Sequence, residues 1–346
     1  MKLALVHRTF SDCGGTERFV RGLSRYLVAR GHSVHVWCNR SEQVPDGVEI
    51  RHLPAWGRGR ILKALVLWWQ SRRLPRGEYD VVLGFGRTVG HDLYRAGGGC
   101  HRAWMMHRTW SLADWVEERL DRSAVAAART VVANSRLAEG QLRDLYGVPA
   151  DSLRVVHNGV DLDRFCPLEA PSGSDGLPGE YVAFVGSGFA RKGLESAIRV
   201  LARLSGPDLV VAGIDRRWRH YQKLAGGLGI GEKVHFLGRV DQVETVLAGA
   251  RALLLPTRYD PFANVCLEAM ACGVPPVTTA RNGASEVLPY PWMVVEDPDD
   301  VEGLASALER VMQETGLADT CRSVAERFPA RSAFERMEAL AMELRA

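Results

Sequence analysis

Three observations predict an α/β protein built from two doubly wound, Rossmann-like parallel-sheet domains. The chain has 346 residues, long for one such domain and sufficient for two. Short apolar runs alternate with helix-periodic segments along its length, the pattern of a parallel sheet covered by helices. A stretch rich in Pro, Gly and Ser, CPLEAPSGSDGLPG at 166–179, interrupts that rhythm near the middle.

In the first half, KLALVH (2–7) reads as a buried strand. A Gly-containing loop, SDCGGTER, follows, and then a helix over 19–30 that Gly31 caps. HSVHVWC (32–38) completes a βαβ unit whose glycine loop sits at the carboxyl end of its first strand. Strands are expected at 48–54, 79–86, 130–135 and 153–161, with helices at 60–73, 111–128 and 136–146. After the linker, strands are expected at YVAFVGS (181–187), DLVVAGI, KVHFLG, ALLLPT, PPVTT and MVVED. The predicted division is a domain over 1–165, a linker over 166–180, a second domain over 181–330, and a last helix over 331–346 that packs back on the first domain. Ligands of such sheets lie beyond the carboxyl ends of the strands, which places the expected site in a cleft between the two domains.

Composition narrows the function. The net charge of +3 is too weak a basic excess to indicate nucleic acid as a partner. Seven cysteines (13, 38, 100, 166, 266, 272 and 321) form no CxxC pair, which suits free thiols in a reducing compartment better than a disulfide frame or zinc site. The apolar run of MKLALVHRTF is too short for a signal peptide, and no stretch reaches the roughly 18 apolar residues of a membrane span. The expectation is a cytoplasmic protein.

The stretch LLPTRYDPFANVCLEAMACGV (254–274) carries most of the chemistry. A buried run stops at Pro256, a polar loop holds Asp260, and an apolar helix opens near Asn264 with Glu268 about one turn inside. The free N–H groups of a helix start attract an anion, and carboxylates accept from sugar hydroxyls. Asp260 and Glu268 could instead serve only the helix dipole, but small residues along the helix and a Gly273 cap point to close packing around a site. VGSGFARKG (185–193) is the second signal. Gly186 and Gly188 let backbone approach a ligand, while the adjacent cations Arg191 and Lys192 before a helix call for an anion such as a diphosphate. Its spacing is not that of an ATPase phosphate loop, and G-x-G-x-x-G is absent.

Weaker signals complete the list. Gly14–Gly15 ends the first βα unit. In YRAGGGCHRAW (94–104), His101 on a glycine-rich loop could bond a donor hydroxyl or shuttle a proton, with His91 and Asp92 as rivals. D-x-D at 161–163 reads as turn chemistry, and no catalytic metal is expected. From Ile50 to Gly77 there are seven Lys/Arg and no acid, with Leu67, Trp68 and Trp69 among them. The spacing assigns Leu62, Leu65, Val66 and Trp69 to a core face. The cationic excess suggests an anionic partner, either lipid head groups or a phosphorylated acceptor.

In this order the segments resemble glycosyltransferase family 4, retaining enzymes of the GT-B fold. The family run E-x-F-G-x-x-x-L-E-A-M-A-x-G-x-P-V appears here as D-P-F-A-N-V-C-L-E-A-M-A-C-G-V-P-P-V. GGTERF, ANS, HNGVDLDRF, RKG at 191–193 and VHFLGRV at 234–240 extend the resemblance over nearly the whole chain. GFGRTVGHDLYRAGGGCHRAW is similar to the lipopolysaccharide core glucosyltransferases. The departures are Asp260 for the first glutamate, Ala263 for the glycine of the F-G pair, and Gly98 where those enzymes carry an acid.

The resemblance implies an NDP-sugar donor, most often a UDP-sugar, and no cofactor or metal. Gly238, Arg239 and Val240 would meet the base and Glu268 the ribose. Arg191 and Lys192 would hold the diphosphate, with Gly14, Gly15 and Gly186 beside it. Asp260 and the segment Phe262, Ala263, Asn264 and Val265 would orient the sugar. The N-terminal domain would hold the acceptor, a glycolipid or lipopolysaccharide core at the inner face of a bacterial plasma membrane, and His101 is the nearest polar candidate for the acid that Gly98 replaces. A nucleotide-sugar-binding protein that has lost transfer, a GT-B sugar epimerase and a dinucleotide-dependent oxidoreductase are the alternatives.

Overall fold

The computed structural model describes residues 1–12, 14–54, 56–57, 59–107, 109–167, 176–204 and 206–345. Cys13, Arg58 and residues 168–175 of the expected linker lie outside them. The chain forms two compact units, Met1–Asn158 with Ala330–Ala346, and Gly159–Pro329.

The first unit is built from β1 (Lys2–Val6), β2 (Thr9–Phe10), α1 (Gly15–Ala29), β3 (Ser33–Cys38), β4 (Arg40–Ser41), β5 (Val48–His52), α2 (Arg60–Ser71), β6 (Val81–Phe85), β7 (Leu93–Ala96), α3 (His101–Met105), α4 (Leu112–Ala126), β8 (Thr130–Ala133), α5 (Arg136–Tyr146) and β9 (Leu153–Val155). Seven strands form a parallel sheet in the order β5-β3-β1-β6-β7-β8-β9. β1 lies inside it, with Leu3 opposite Val34 on one side and Val81 on the other. The direction of winding reverses between β1 and β6, so the crevice for a ligand opens past Val6 and Phe85.

The second unit contains β10 (Tyr181–Val185), α6 (Phe189–Lys192), α7 (Leu194–Arg203), β11 (Asp208–Ala212), α8 (Trp218–Gly227), β12 (Val234–Gly238), α9 (Val243–Ala248), β13 (Ala252–Leu255), α10 (Asn264–Ala271), β14 (Pro276–Thr279), β15 (Val294–Val295), α11 (Val301–Gln313) and α12 (Leu317–Ala325). Its strand order is β12-β11-β10-β13-β14-β15, with the reversal between β10 and β13. β10 and β13 are buried throughout, as central strands of a two-sided sheet must be. The chain then returns to the first unit as α13 (Ala330–Arg345), whose Met337 and Leu340 join the core of Leu3, Leu23 and Val81. Gly22 of α1 admits that helix: a Cβ there would stand 2.6 Å from the Phe334 ring.

Some elements differ from the sequence expectation. Residues 159–165, assigned to the first domain, belong to the second unit because Val160 and Phe165 are buried in its core. The glycine-rich segment at 94–104 begins inside a fully buried strand, β7, and His101 opens α3 rather than lying on a loop. A four-residue strand with Arg95 in its middle shows no alternation to detect.

The core face of α2 also differs. Leu62, Leu65 and Trp69 are exposed and Val66 is half-buried, while Leu67, Gln70 and Ser71 are buried. Polar bonds set this rotation. Trp68 Nε1 donates to Ser123 Oγ of α4 at 2.8 Å, and Gln70 Nε2 to the Pro54 carbonyl at 2.7 Å.

Candidate active site

In the second unit the chain leaves β10 through Gly186, φ 145°, and turns into α6 through Gly188, φ 75°. Both lie in conformations that side chains rarely adopt. A further glycine, Gly193 at φ 80°, ends α6; a Cβ there would fall 1.9 Å from the Pro256 carbonyl oxygen. The two loops past β10 and β13 are therefore stitched together. The Arg191 carbonyl accepts from Arg258 N at 2.8 Å and from Thr257 Oγ1 at 3.0 Å.

This stitching delivers Arg191 and Lys192 to Asp260. Arg191 Nη1 and Lys192 Nζ each lie 2.7 Å from Asp260 Oδ2, and Arg191 Nη1 also donates to the Tyr259 carbonyl. Lys192 and Asp260 are buried, whereas the Arg191 side chain is 33% exposed. Burial opposes ionisation of Asp260, but Lys192 and Arg191 outweigh it and hold the carboxyl below its usual range. Two cations share one carboxylate, so the cluster keeps an excess positive charge and an accessible guanidinium, which suits an anionic ligand.

Two features depart from the sequence reading. The anion that the two cations call for is supplied in part by the protein itself, and Asp260 faces them rather than an open sugar subsite. Two amides expected to meet the sugar are also engaged. Phe262 N donates to Asp260 Oδ1 at 3.2 Å and Ala263 N to Asn282 Oδ1 at 3.0 Å. Asn282, fully buried, also accepts from Ala284 N and donates to Thr278 Oγ1, which fixes the start of α10 against β14. Sequence reasoning missed this residue; its signal is an Asn-Gly pair, Asn282–Gly283, in the loop shortly after a buried strand.

Other expected residues fall around this core. Glu268 is buried on α10, near enough to Arg164 to act on its charge. Asn264 and Val265 form the first turn of α10, whose small residues receive α12, with Gly273 at φ 76° closing the helix. Arg322 of α12 donates to the Ala271 carbonyl at 2.8 Å. Gly238, φ 69°, ends β12 with its carbonyl accepting from Gly213 N at 2.7 Å; Arg239 is exposed and Val240 half-buried. Asp161 Oδ1 accepts from the Asp163 and Arg164 amides at 3.2 Å, an Asx turn. Among the described residues no three His, Cys, Asp or Glu side chains converge as a metal site, six cysteines are free thiols, and no helix is long and apolar enough to cross a membrane.

The remaining expected residues lie in the first unit, at its own point of reversal. A cavity of about 170 Å³ opens there, lined by His7 and Gly86 just past β1 and β6, with Gly97, Gly98, Gly99 and His101. Gly14 caps α1 with φ 110°, where a Cβ would meet Glu17 at 2.3 Å, and Gly15 is the first residue of that helix.

His101 is held from several directions. Its amide donates to Asp121 Oδ2 at 2.9 Å, its Nδ1 is 3.0 Å from Arg87 Nη2, and its Nε2 lies 3.8 Å from Asp114 and 3.9 Å from Glu117. Burial and the Arg87 charge push its pKa down against the nearby acids, favouring the neutral ring. The three acids recur at i, i+3 and i+7 on α4, a buried polar stripe that the sequence reading did not single out. The rivals have structural roles. His91 Nε2 donates to the Ala124 carbonyl at 2.9 Å, with its pKa lowered to about 4 by burial, and Asp92 pairs with Arg76 at 2.6 Å.

Comparison with known proteins extends the geometry. Residues 13–164 match the model of Glycosyltransferase Family 4, and residues 176–328 that of Glycosyl transferases group 1. The lipopolysaccharide glucosyltransferase WaaG of Escherichia coli K12 is 26% identical over 332 residues, covering 88% of this chain and 87% of that protein. A probable transglycosylase of Burkholderia thailandensis is 27% identical over 317 residues, covering 87% and 83%. The fold is that of a WaaG crystal structure, with a TM-score of 0.85 at 22% identity over 98% of this chain and 99% of that one. It is also that of Anabaena HepE in complex with UDP and glucose, with a TM-score of 0.78 at 17% identity over 98% and 99%. The chain belongs to glycosyltransferase family 4 and is a glycosyltransferase of the GT-B fold.

Proposed function

We propose that the protein transfers a hexose from an NDP-sugar, in first place a UDP-sugar, to a glycolipid or lipopolysaccharide-core acceptor, with retention of configuration and without a metal. The cluster of Arg191, Lys192 and Asp260 carries this reading: two cations, held ready by one carboxylate at 2.7 Å, sit where a doubly wound sheet binds phosphate. Its excess positive charge meets the diphosphate and stabilises it as it leaves, the task a metal performs elsewhere. The bond between the anomeric carbon and the diphosphate oxygen breaks while the acceptor oxygen bonds to that carbon on the same face. The acceptor's proton passes to the departing phosphate. Glu268 accepts from the ribose. His101, neutral and fixed, orients the acceptor hydroxyl. The names of WaaG and of the HepE complex support the donor and acceptor classes.

A thermal-shift panel of UDP-, GDP- and ADP-sugars tests the donor, since a selective ligand raises the melting temperature by mass action. Stabilisation by UDP-sugars that Glu268→Ala abolishes is expected; a flat response to all three overturns the reading. The engagement of Asp260 with its cations also favours a second reading, a protein that binds the nucleotide-sugar without transferring it. UDP-sugar binding without product on any acceptor would select it.

The exposed stripe of Leu62, Leu65 and Trp69 on α2 supports a peripheral location on an anionic membrane at the cytoplasmic face. Arg73 lies 3.6 Å over the Trp69 ring, adding charge to the apolar surface. Sedimentation with phosphatidylglycerol vesicles but not phosphatidylcholine vesicles is expected, and indifference to lipid charge excludes this location.

A further inference from the structure

Beside α3 and α4 the first unit has a second pocket, of about 400 Å³, that the reaction above does not use. Its volume is within the range of small-molecule sites, about 300–1,000 Å³. Two tryptophans line it, Trp110 and Trp115, 55% and 49% exposed. Leaving two indoles half open costs burial that a folded chain normally gains. The rings are also fixed. Trp110 Nε1 donates to the Met105 carbonyl at 2.7 Å, and the Arg119 guanidinium stacks 4.7 Å from the Trp115 ring centroid.

Three guanidinium groups, of Arg102, Arg119 and Arg122, line the same pocket against one carboxylate, Glu118. Glu118 pairs with Arg122 at 3.4 Å, and among the described residues Arg102 and Arg119 have no carboxylate partner. Flat aromatic walls stack on the C–H faces of a sugar ring. Planar guanidinium forks match phosphate oxygens, and a carboxylate accepts from a hydroxyl. A concave, pre-set site of this composition suits a discrete ligand better than the disordered head-group region of a bilayer.

We propose that this pocket binds a phosphorylated saccharide. On the transferase reading given above, that group is the phosphate-bearing part of the acceptor. α3 then supplies adjacent residues to two subsites, His101 to the glycine-lined cavity and Arg102 to the phosphosugar pocket.

Saturation-transfer NMR on the full chain, with glucose 6-phosphate, glucose and inorganic phosphate as probes, tests the assignment. Glucose 6-phosphate should bind more tightly than either of the others. Arg119→Gln and Trp115→Ala, both surface changes, should each weaken it at least tenfold while leaving the affinity for UDP unchanged. Equal binding of glucose 6-phosphate to wild type and both variants, or none to wild type, overturns the proposal. So does loss of sedimentation with phosphatidylglycerol vesicles in these variants when glucose 6-phosphate does not bind, which would make the surface a lipid contact. If wild type binds glucose 6-phosphate here but no UDP, the transferase reading fails and the pocket stands.

Discussion

Asp260, itself buried, receives Arg191 and Lys192 on one oxygen and the Phe262 amide on the other. Removing it would leave two cations crowded together without their counter-charge. Asp260→Ala should destabilise the protein by about 3–5 kcal/mol, the range for breaking a buried ion pair, less what the partly exposed Arg191 recovers from solvent. Denaturant unfolding measures this, and a change within 0.5 kcal/mol of zero (roughly that of a neutral surface substitution) would show the cluster to be unimportant for stability. Because the carboxyl is depressed in the folded state, its contribution is present above the unfolded value of about 3.9 and is lost as pH falls through the lower folded value. The residue types of this cluster were legible in the sequence, since adjacent cations at a helix start and an acid before an apolar helix both call for opposite charge. Their mutual pairing was not legible. It depends on Gly193 packing against Pro256, a contact between positions that the chain separates by a whole βαβαβ stretch.

At the scale of elements, the strands and amphipathic helices were readable because their apolar periods are regular. Where the sequence reading misled, as for the face of α2, or was silent, as for that of α4, polar residues turn inward. α2 is rotated by bonds from Trp68 and Gln70, and α4 buries Asp114, Glu117 and Asp121 around His101. α13 shows the same principle at its seam with α1. Glu338 is buried with the Tyr26 hydroxyl at 2.6 Å and His32 Nε2 at 2.7 Å. Burial opposes its ionisation, and Tyr26, His32 and Arg30 overcome it to depress the pKa. The clasp therefore holds above the unfolded glutamate value of about 4.3 and weakens as pH falls below it. Glu338→Ala should cost roughly 1–3 kcal/mol, the penalty for stranding buried partners. Hydrogen exchange would show it as loss of protection in α13 before the central strands, and unchanged protection there would contradict the clasp.

At the scale of the whole molecule, the chain repeats one solution. Each unit is a parallel sheet with its winding reversed between two central strands, and each gathers its glycines and charged groups at that reversal. On the proposed reading, Arg191 and Lys192 of the second unit meet the donor's leaving group and His101 of the first meets the acceptor hydroxyl. Calorimetric titration of UDP into wild type and Lys192→Ala tests the central claim most directly. The variant leaves Asp260 with one fewer cation and, on the proposed reading, removes one phosphate contact. The account predicts measurable binding to wild type and at least about tenfold weaker binding to the variant, about 1.4 kcal/mol. Equal affinity of the two proteins for UDP would contradict it.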